Sequence, residues 1–579
     1  MAILRGNGKR RPRLAQGLIS TAVALLAACA SPPLTPDLTA RAPQLSGFGA
    51  LDIAVTTSQP AARQRFNDAV LQAYAFNEVE AVRMFKAALA LDPACAMCAW
   101  GVAWQLGPNI NAPDRGDLRE ALRYLDHALR HIDKATPRER TLVEAMALRY
   151  GHASTARETA PLAGERCATK GGDGKAAHPL DIAYAERLRA LVQATPLDAE
   201  LVTLWAEAEL VATRDDWWDE KTGTPAGRIG ELADRLEAAL VRHPQHTGLN
   251  HYLIHTVDSR SVARRAVAAA DRLGALAPMS PHLVHMPSHT YAHVGRYADA
   301  TRVNQQAMLA EAEIAKVQKA QGFEPSKDWS GHNLHFQWFG ALMEGRGELA
   351  LGTARQLAER AAKAGHVYAE YQRSLPALTL LRLERWDLLL AEPEPSGKHG
   401  LAPALHGHAR AVALVRLGRM PEAKAALPAI EAAAATLAKA YPAKSGFDEA
   451  LRGMAQGAAS RLRAEIALAE GKVDAALAEQ ALAVAAASHA DDSEPPMLGA
   501  GARLALAQMQ ARAGRFAVAE KTWRDDLAAW PDSGWALAGL AASLQAQGRA
   551  TEASTQLREL ERAWPLADAA LKGALRVTR

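Results

Sequence analysis

The sequence predicts an all-α protein, a solenoid of stacked helical hairpins. Three observations carry that prediction. Alanine and leucine dominate, aromatic residues make up only 5% of the chain, and apolar residues recur with helical rather than alternating spacing. Gly514-Arg515 and Gly548-Arg549 lie 34 residues apart, as do Trp530-Pro531 and Trp564-Pro565. Small residues return at matching places, so that Ala507, Gly514, Ala519 and Pro531 align with Ala541, Gly548, Ala553 and Pro565.

A period of 34 is the tetratricopeptide (TPR) length, two antiparallel helices per unit. Small residues are required where the helices touch, and a proline stops the second helix before the next unit begins. Taken in chain order, residues 1–28 come first. They carry Arg5, Lys9, Arg10, Arg11 and Arg13, no acid, and an apolar run of about a dozen residues, which suits a signal-peptide core better than a membrane span. The run ends in Leu26-Ala27-Ala28-Cys29, similar to a bacterial lipobox in which the Cys29 thiol takes lipid. Ala30 follows where an aspartate would argue for retention, so resemblance to Gram-negative lipoproteins implies the outer membrane, facing the periplasm. Residues 29–58 are rich in Pro, Ser and Thr and read as the lipidated Cys29 and a flexible tether. Without the first 28 residues, 62 basic face 63 acidic residues, and the net charge of +4 becomes −1. No basic patch argues for nucleic acid.

The array itself opens at residue 59. Ala69, Ala81, Phe85, Ala88 and Pro93 fit one repeat well, and looser copies turn at Gly295, Gly345, Gly418 and Gly471, where a helix C-terminus favours a residue with positive φ. Cys95-Ala96-Met97-Cys98 fits either a local disulfide or a pair of small buried residues; Ala99 stands where haem attachment would need His. Gly151 to Lys175 breaks the pattern as a surface insertion. A second polar break at Glu392–Gly400 divides the array into lobes at 59–390 and 401–579. A single hairpin cannot bury its apolar face, so neighbours stack into a right-handed superhelix, whose concave face suits a protein or peptide partner.

Ten of the nineteen histidines fall between His243 and His335. Imidazole is the commonest protein metal ligand. His251 and His255 are four apart and share a helix face about 6 Å apart along the axis. His282, His285, His289 and His293 fall in one stripe that spans about 16 Å, too long for a single ion. The spacing therefore predicts a site from His251, His255, His285, His289, His332 and His335, with His282 as an accessory. Such ligands suit zinc, copper, nickel or iron. Pro287 would break or kink a helix running from Pro281, or start a new one, and Ser280 with Pro281 reads as an N-cap and first turn. No H-E-x-x-H, G-x-S-x-G or P-loop is present, so neither a zincin protease nor a nucleotide-binding enzyme is indicated. No catalytic residue can be assigned.

TTSQP from Thr56, AYAFNEVEAVRMFKAALALDPACAM from Ala73, and Trp100-Gly101 with GPNIN from Gly107 resemble the start of a family of bacterial TPR lipoproteins. HYLIH from His251, HLVHMPSHTY from His282 and HNLHF from His332 are similar to the same family, which is described by its repeats rather than by an activity. The resemblance covers roughly residues 55–360. It implies His after Phe-Asn, where this chain has Glu78: as a ligand, a carboxylate replaces an imidazole. Asn109, in the Gly-Pro turn, either lines the same concavity or fixes the turn. The expected function is a membrane-anchored scaffold with a His-lined metal site; the alternative is a metal-dependent enzyme acting on a substrate in the groove.

Overall fold

The computed structural model describes residues 34–152, 177–214, 217–325 and 328–571; the signal peptide, Cys29 and most of the 151–175 insertion lie outside them. Among the described residues there are 26 α-helices and no sheet, and each helix packs chiefly on its neighbours in sequence. The unit is a hairpin. Pro60–Tyr74 pairs with Glu78–Leu91, Gly501–Arg512 with Phe516–Ala529, and Gly534–Ala546 with Ala550–Ala563. The last two hairpins repeat the same turn: Gly514 and Gly548 sit at φ 74° and 77°, and the next amide reaches back to a carbonyl of the last turn (Arg515 to Gln510, 2.9 Å). Only glycine enters that region without a Cβ penalty. Ala69, Ala81, Ala88, Ala507, Ala519, Ala541 and Ala553 are all buried at helix contacts. A Cβ added to Gly101 would lie 2.4 Å from the Phe85 ring, so the small residue and its large partner are specified together. The architecture is a TPR-like helical solenoid.

Apolar core runs along the array in successive clusters. One cluster extends from Phe48 to Ile314 and a second from Ala292 to Ala567. Residues 392–400 form a loop, but Leu375 and Leu401 on either side of it share the second cluster. The array also folds back on itself. Trp535 Nε1 donates to the Leu342 carbonyl (2.8 Å), Trp564 Nε1 to that of Met343 (2.7 Å), and the Asp568 amide to that of Gly345 (3.0 Å). The last hairpin thus docks on the middle of the chain and brings the 491–500 loop against the central repeats, where Arg260 pairs with Asp492.

The tether reading needs correction for residues 34–58. They run without regular structure along the solenoid rather than away from it. The Ile53 amide is held by Asn67, the Thr56 amide and hydroxyl by Glu139, and the Thr57 hydroxyl by Asp92; Phe48 is buried. Polar composition suggested mobility, but these side chains and amides are satisfied by buried carboxylates and amides that sequence spacing does not reveal. Cys95 and Cys98 form a disulfide at the start of the Ala96–Gln105 helix. Among the described residues no helix is long and apolar enough to cross a membrane.

Candidate metal centre

The central repeats bring two three-histidine groups together. His246 caps the Thr247–Thr256 helix by accepting from the Leu249 amide, and one turn inside it His251 and His255 share a buried face. Ser280 caps the next helix through the Leu283 amide, with Pro281 in its first turn. Pro287 then splits the expected single helix into Pro281–His285 and Pro287–His293, because a proline has no amide hydrogen and its ring crowds the carbonyl four residues back. The histidine stripe divides elsewhere, between His282 and His285 on the first short helix. His282 joins His251 and His255; His285 and His289 join His332 from the Ser330–Met343 helix. Within each group the three ligand atoms lie within 4.8 Å of one another.

The first group is organised around His251. Its Nδ1 donates to the Tyr74 carbonyl (2.7 Å), which leaves the Nε2 lone pair facing the Nε2 atoms of His282 and His255, each at 3.1 Å. In the second group His285 Nδ1 donates to Asn304 Oδ1 (2.6 Å), and Asn304 is oriented by its own bond to the Ala300 carbonyl. His289 Nδ1 donates to Asp258 (2.8 Å) with Glu494 at 3.2 Å, and His289 Nε2 meets His285 Nε2 at 3.1 Å. An acceptor behind one ring nitrogen fixes the tautomer and turns the other nitrogen into a ligand. His332 Nε2 is shut from solvent with no hydrogen-bond partner. The groups are neighbours: the His282 and His285 ring centroids are 6.2 Å apart, those of His255 and His289 6.5 Å.

Aromatic rings close the site. Phe76 covers His251, His255 and His282, Trp329 stacks on His282, and Phe336 lies against His285, His289 and His332. Phe76 is held at φ 52°, a left-handed conformation that costs a bulky residue energy and is found where geometry matters. Burial drives the His251 and His285 imidazoles down to about 3, and holds His255 and His332 well below the usual range. All four are therefore neutral, the form that ligates. His289 is the exception. Burial opposes its charge, but the Asp258 and Glu494 carboxylates outweigh burial and raise it to about 10.

Several expected residues go elsewhere. His335 does not join either group; its Nε2 bonds the Tyr371 hydroxyl (2.7 Å) and its ring stacks on Trp338. Three residues from His332 is 300° around the helix, enough to turn it toward the next repeat. His293, which the spacing left outside the predicted site, bonds Asp258 Oδ1. Glu78 begins the Glu78–Leu91 helix, and its charge bears on Glu207 and Tyr252. Asn109 accepts the Asn111 and Ala112 amides, so it fixes the turn. The accessory His282 is a full member of the first group. Asp258, His289 and Glu494 make a third close set, and neither acid was singled out from sequence. Asp258 carried a weak signal, three residues after His255; Glu494 carried none.

No family model matches this chain, and no curated protein is similar to it. Among solved structures it is similar to the P58(IPK) TPR domain (11% identity, 85% of this chain and 99% of that one, TM-score 0.21). It is also similar to the APC/C hetero-tetramer Cut9-Hcn1 (10% identity, 89% and 90%, TM-score 0.25), and to yeast Tom70 (11% identity, 90% and 88%, TM-score 0.24). At such scores these likenesses carry no argument, and the fold assignment rests on the hairpins described above. Fold and site together define a TPR-like solenoid with a histidine-rich group placed to coordinate a metal ion.

Proposed function

We propose that this chain is a lipid-anchored helical solenoid that binds transition metal in its central repeats, as two ions side by side with three imidazoles each. The observation that supports this reading is the double convergence of histidines, with carbonyl, amide and carboxylate acceptors behind His251, His285 and His289. Neutral imidazole ligands suit zinc, copper or iron. The two carboxylates behind His289 would offset part of the charge such ions bring into a buried space. The Leu26-Ala27-Ala28-Cys29 motif supports an outer-membrane anchor facing the periplasm, and the Cys95–Cys98 disulfide fits that oxidising compartment. The concave face of the array would take a protein or peptide partner.

One observation favours a second reading, a metal-dependent enzyme. Three protein ligands leave a tetrahedral ion one open position. An open cavity of about 740 Å³ reaches His282 and is also lined by Phe48, Ser280, Glu311 and Trp329. Burial raises the Glu311 carboxyl to about 7, its Oε1 accepts the Trp329 amide, and its Oε2 has no hydrogen-bond partner. That is the setting of a general acid or base near neutral pH. A bound ion would supply Lewis acidity or an activated water; Glu311 would take or return the proton.

Elemental analysis of the purified chain lacking residues 1–29, after reconstitution, tests the proposal. About two transition-metal ions per chain are expected. His251→Ala with His255→Ala should remove one, and His285→Ala with His289→Ala the other, with helicity retained. Background metal in the reconstituted parent would end both readings.

A further inference from the structure

The second half of the array holds another chamber, separate from the histidines. It lies between the helices Val367–Arg382, Leu401–Arg416, Gly446–Ala469, Val473–Ala486 and Gly501–Arg512. Much of its wall is apolar, including Leu405, Met454 and Leu504, all buried. Into this wall project four arginines. Arg416 pairs with Glu384 (3.4 Å) and Arg512 with Glu465 (2.7 Å). Arg382 and Arg461 have no ion pair among the described residues.

The neutral polar groups are also unanswered. His408 is 4% exposed and Gln480 1%. Both ring nitrogens of the first and both amide atoms of the second lack a hydrogen-bond partner, as do Arg461 Nε and Arg382 Nη1. Buried polar atoms are nearly always satisfied, and a group of orphans in one place calls for an explanation. Donors predominate: two guanidinium N–H groups, the Gln480 amide and one imidazole N–H. What they lack is an acceptor with negative charge, and the leucines and Met454 beside them would cover an apolar body.

We propose that this chamber binds a small organic anion, one carboxylate or phosphate head on an apolar body, with Arg461 and Arg382 facing the head. Arg461 Nε, Arg382 Nη1 and the Gln480 amide donate to its oxygens, while the apolar body lies against Leu405, Met454 and Leu504. The site is independent of metal, because none of its residues belongs to the histidine groups.

Calorimetric titration of the full chain with decanoate, decyl phosphate and decanol tests this. At least one of the two anions is expected to bind one per chain, about tenfold or more tighter than decanol, and the tighter of the two identifies the head group. Arg461→Met should weaken the anion about tenfold or more without lowering the melting temperature, since it removes an unpaired cation from an apolar setting. Should that variant fold poorly, Gln480→Leu is to show the same loss. Equal binding of decanol and the anions, no binding of either anion, or undiminished binding in a folded variant would overturn the proposal.

Discussion

His289 shows how one side chain is given two faces. Nδ1 is committed to Asp258 and Glu494, and Nε2 to the histidine group. Glu207 shows what burial does to a carboxyl in this chain. It is buried, accepts Trp104 Nε1 at 2.6 Å, and is raised to about 7 by burial with a further push from Glu78. The folded carboxyl therefore keeps a proton that the unfolded chain has released above the ordinary carboxyl range. Its contribution to stability is present at low pH and is lost as pH rises from about 4.5 to 7. Glu207→Gln removes this loss and keeps an acceptor for Trp104. Relative to the parent, it should gain about 1–3 kcal/mol across that window and change little below it; a difference in denaturation midpoint that is flat with pH would refute the assignment. The histidines were legible one by one because imidazole is scarce and their spacings are chelating. Glu207, Asp258 and Glu494 were not, because carboxylates cover every helix and only burial distinguishes these three.

At the scale of the element, Pro287 sets how His285 and His289 are placed relative to each other. Pro287 interrupts the helix between His285 and His289, two members of one group, whereas His282 and His285 share a short helix and join different groups. Pro287→Ala restores an amide hydrogen and should leave the fold at least as stable in the metal-free state. It should nevertheless reduce metal loading, because the two short helices can merge and shift His289 relative to His285. Melting and elemental analysis of the same preparation read both effects; full loading would show that the break is incidental. The sequence already carried the cap at Ser280 and the interruption at Pro287. It did not carry the destination of His335, since the rotation between His332 and His335 has meaning only once the Val367–Arg382 helix supplies Tyr371 as a partner.

For the whole molecule, the docking of the last hairpin on residues 342–345 is the controlling event. It buries Trp564 and carries Glu494 to His289 across about 200 residues of sequence. Trp564→Ala should cost about 3–5 kcal/mol, as large buried aromatics do. It should also weaken metal binding at the His285, His289 and His332 group while sparing the His251, His255 and His282 group. A metal titration that resolves the two groups, run beside thermal melting, checks both effects. Equal weakening of both groups would mean that docking acts on the array at large.

The local chemistry of the chain determined the helices, their glycine turns, the hairpin period and the clustering of imidazoles, because caps, φ preferences and apolar spacing act over a few residues. Tertiary structure decided the rest: two groups rather than one, the carboxylates behind His289, the docked course of residues 34–58, and the arginine-lined chamber. Each of these depends on which distant side chains close packing brings within 3 Å, and residues far apart in the chain carry no spacing from which such a meeting can be read.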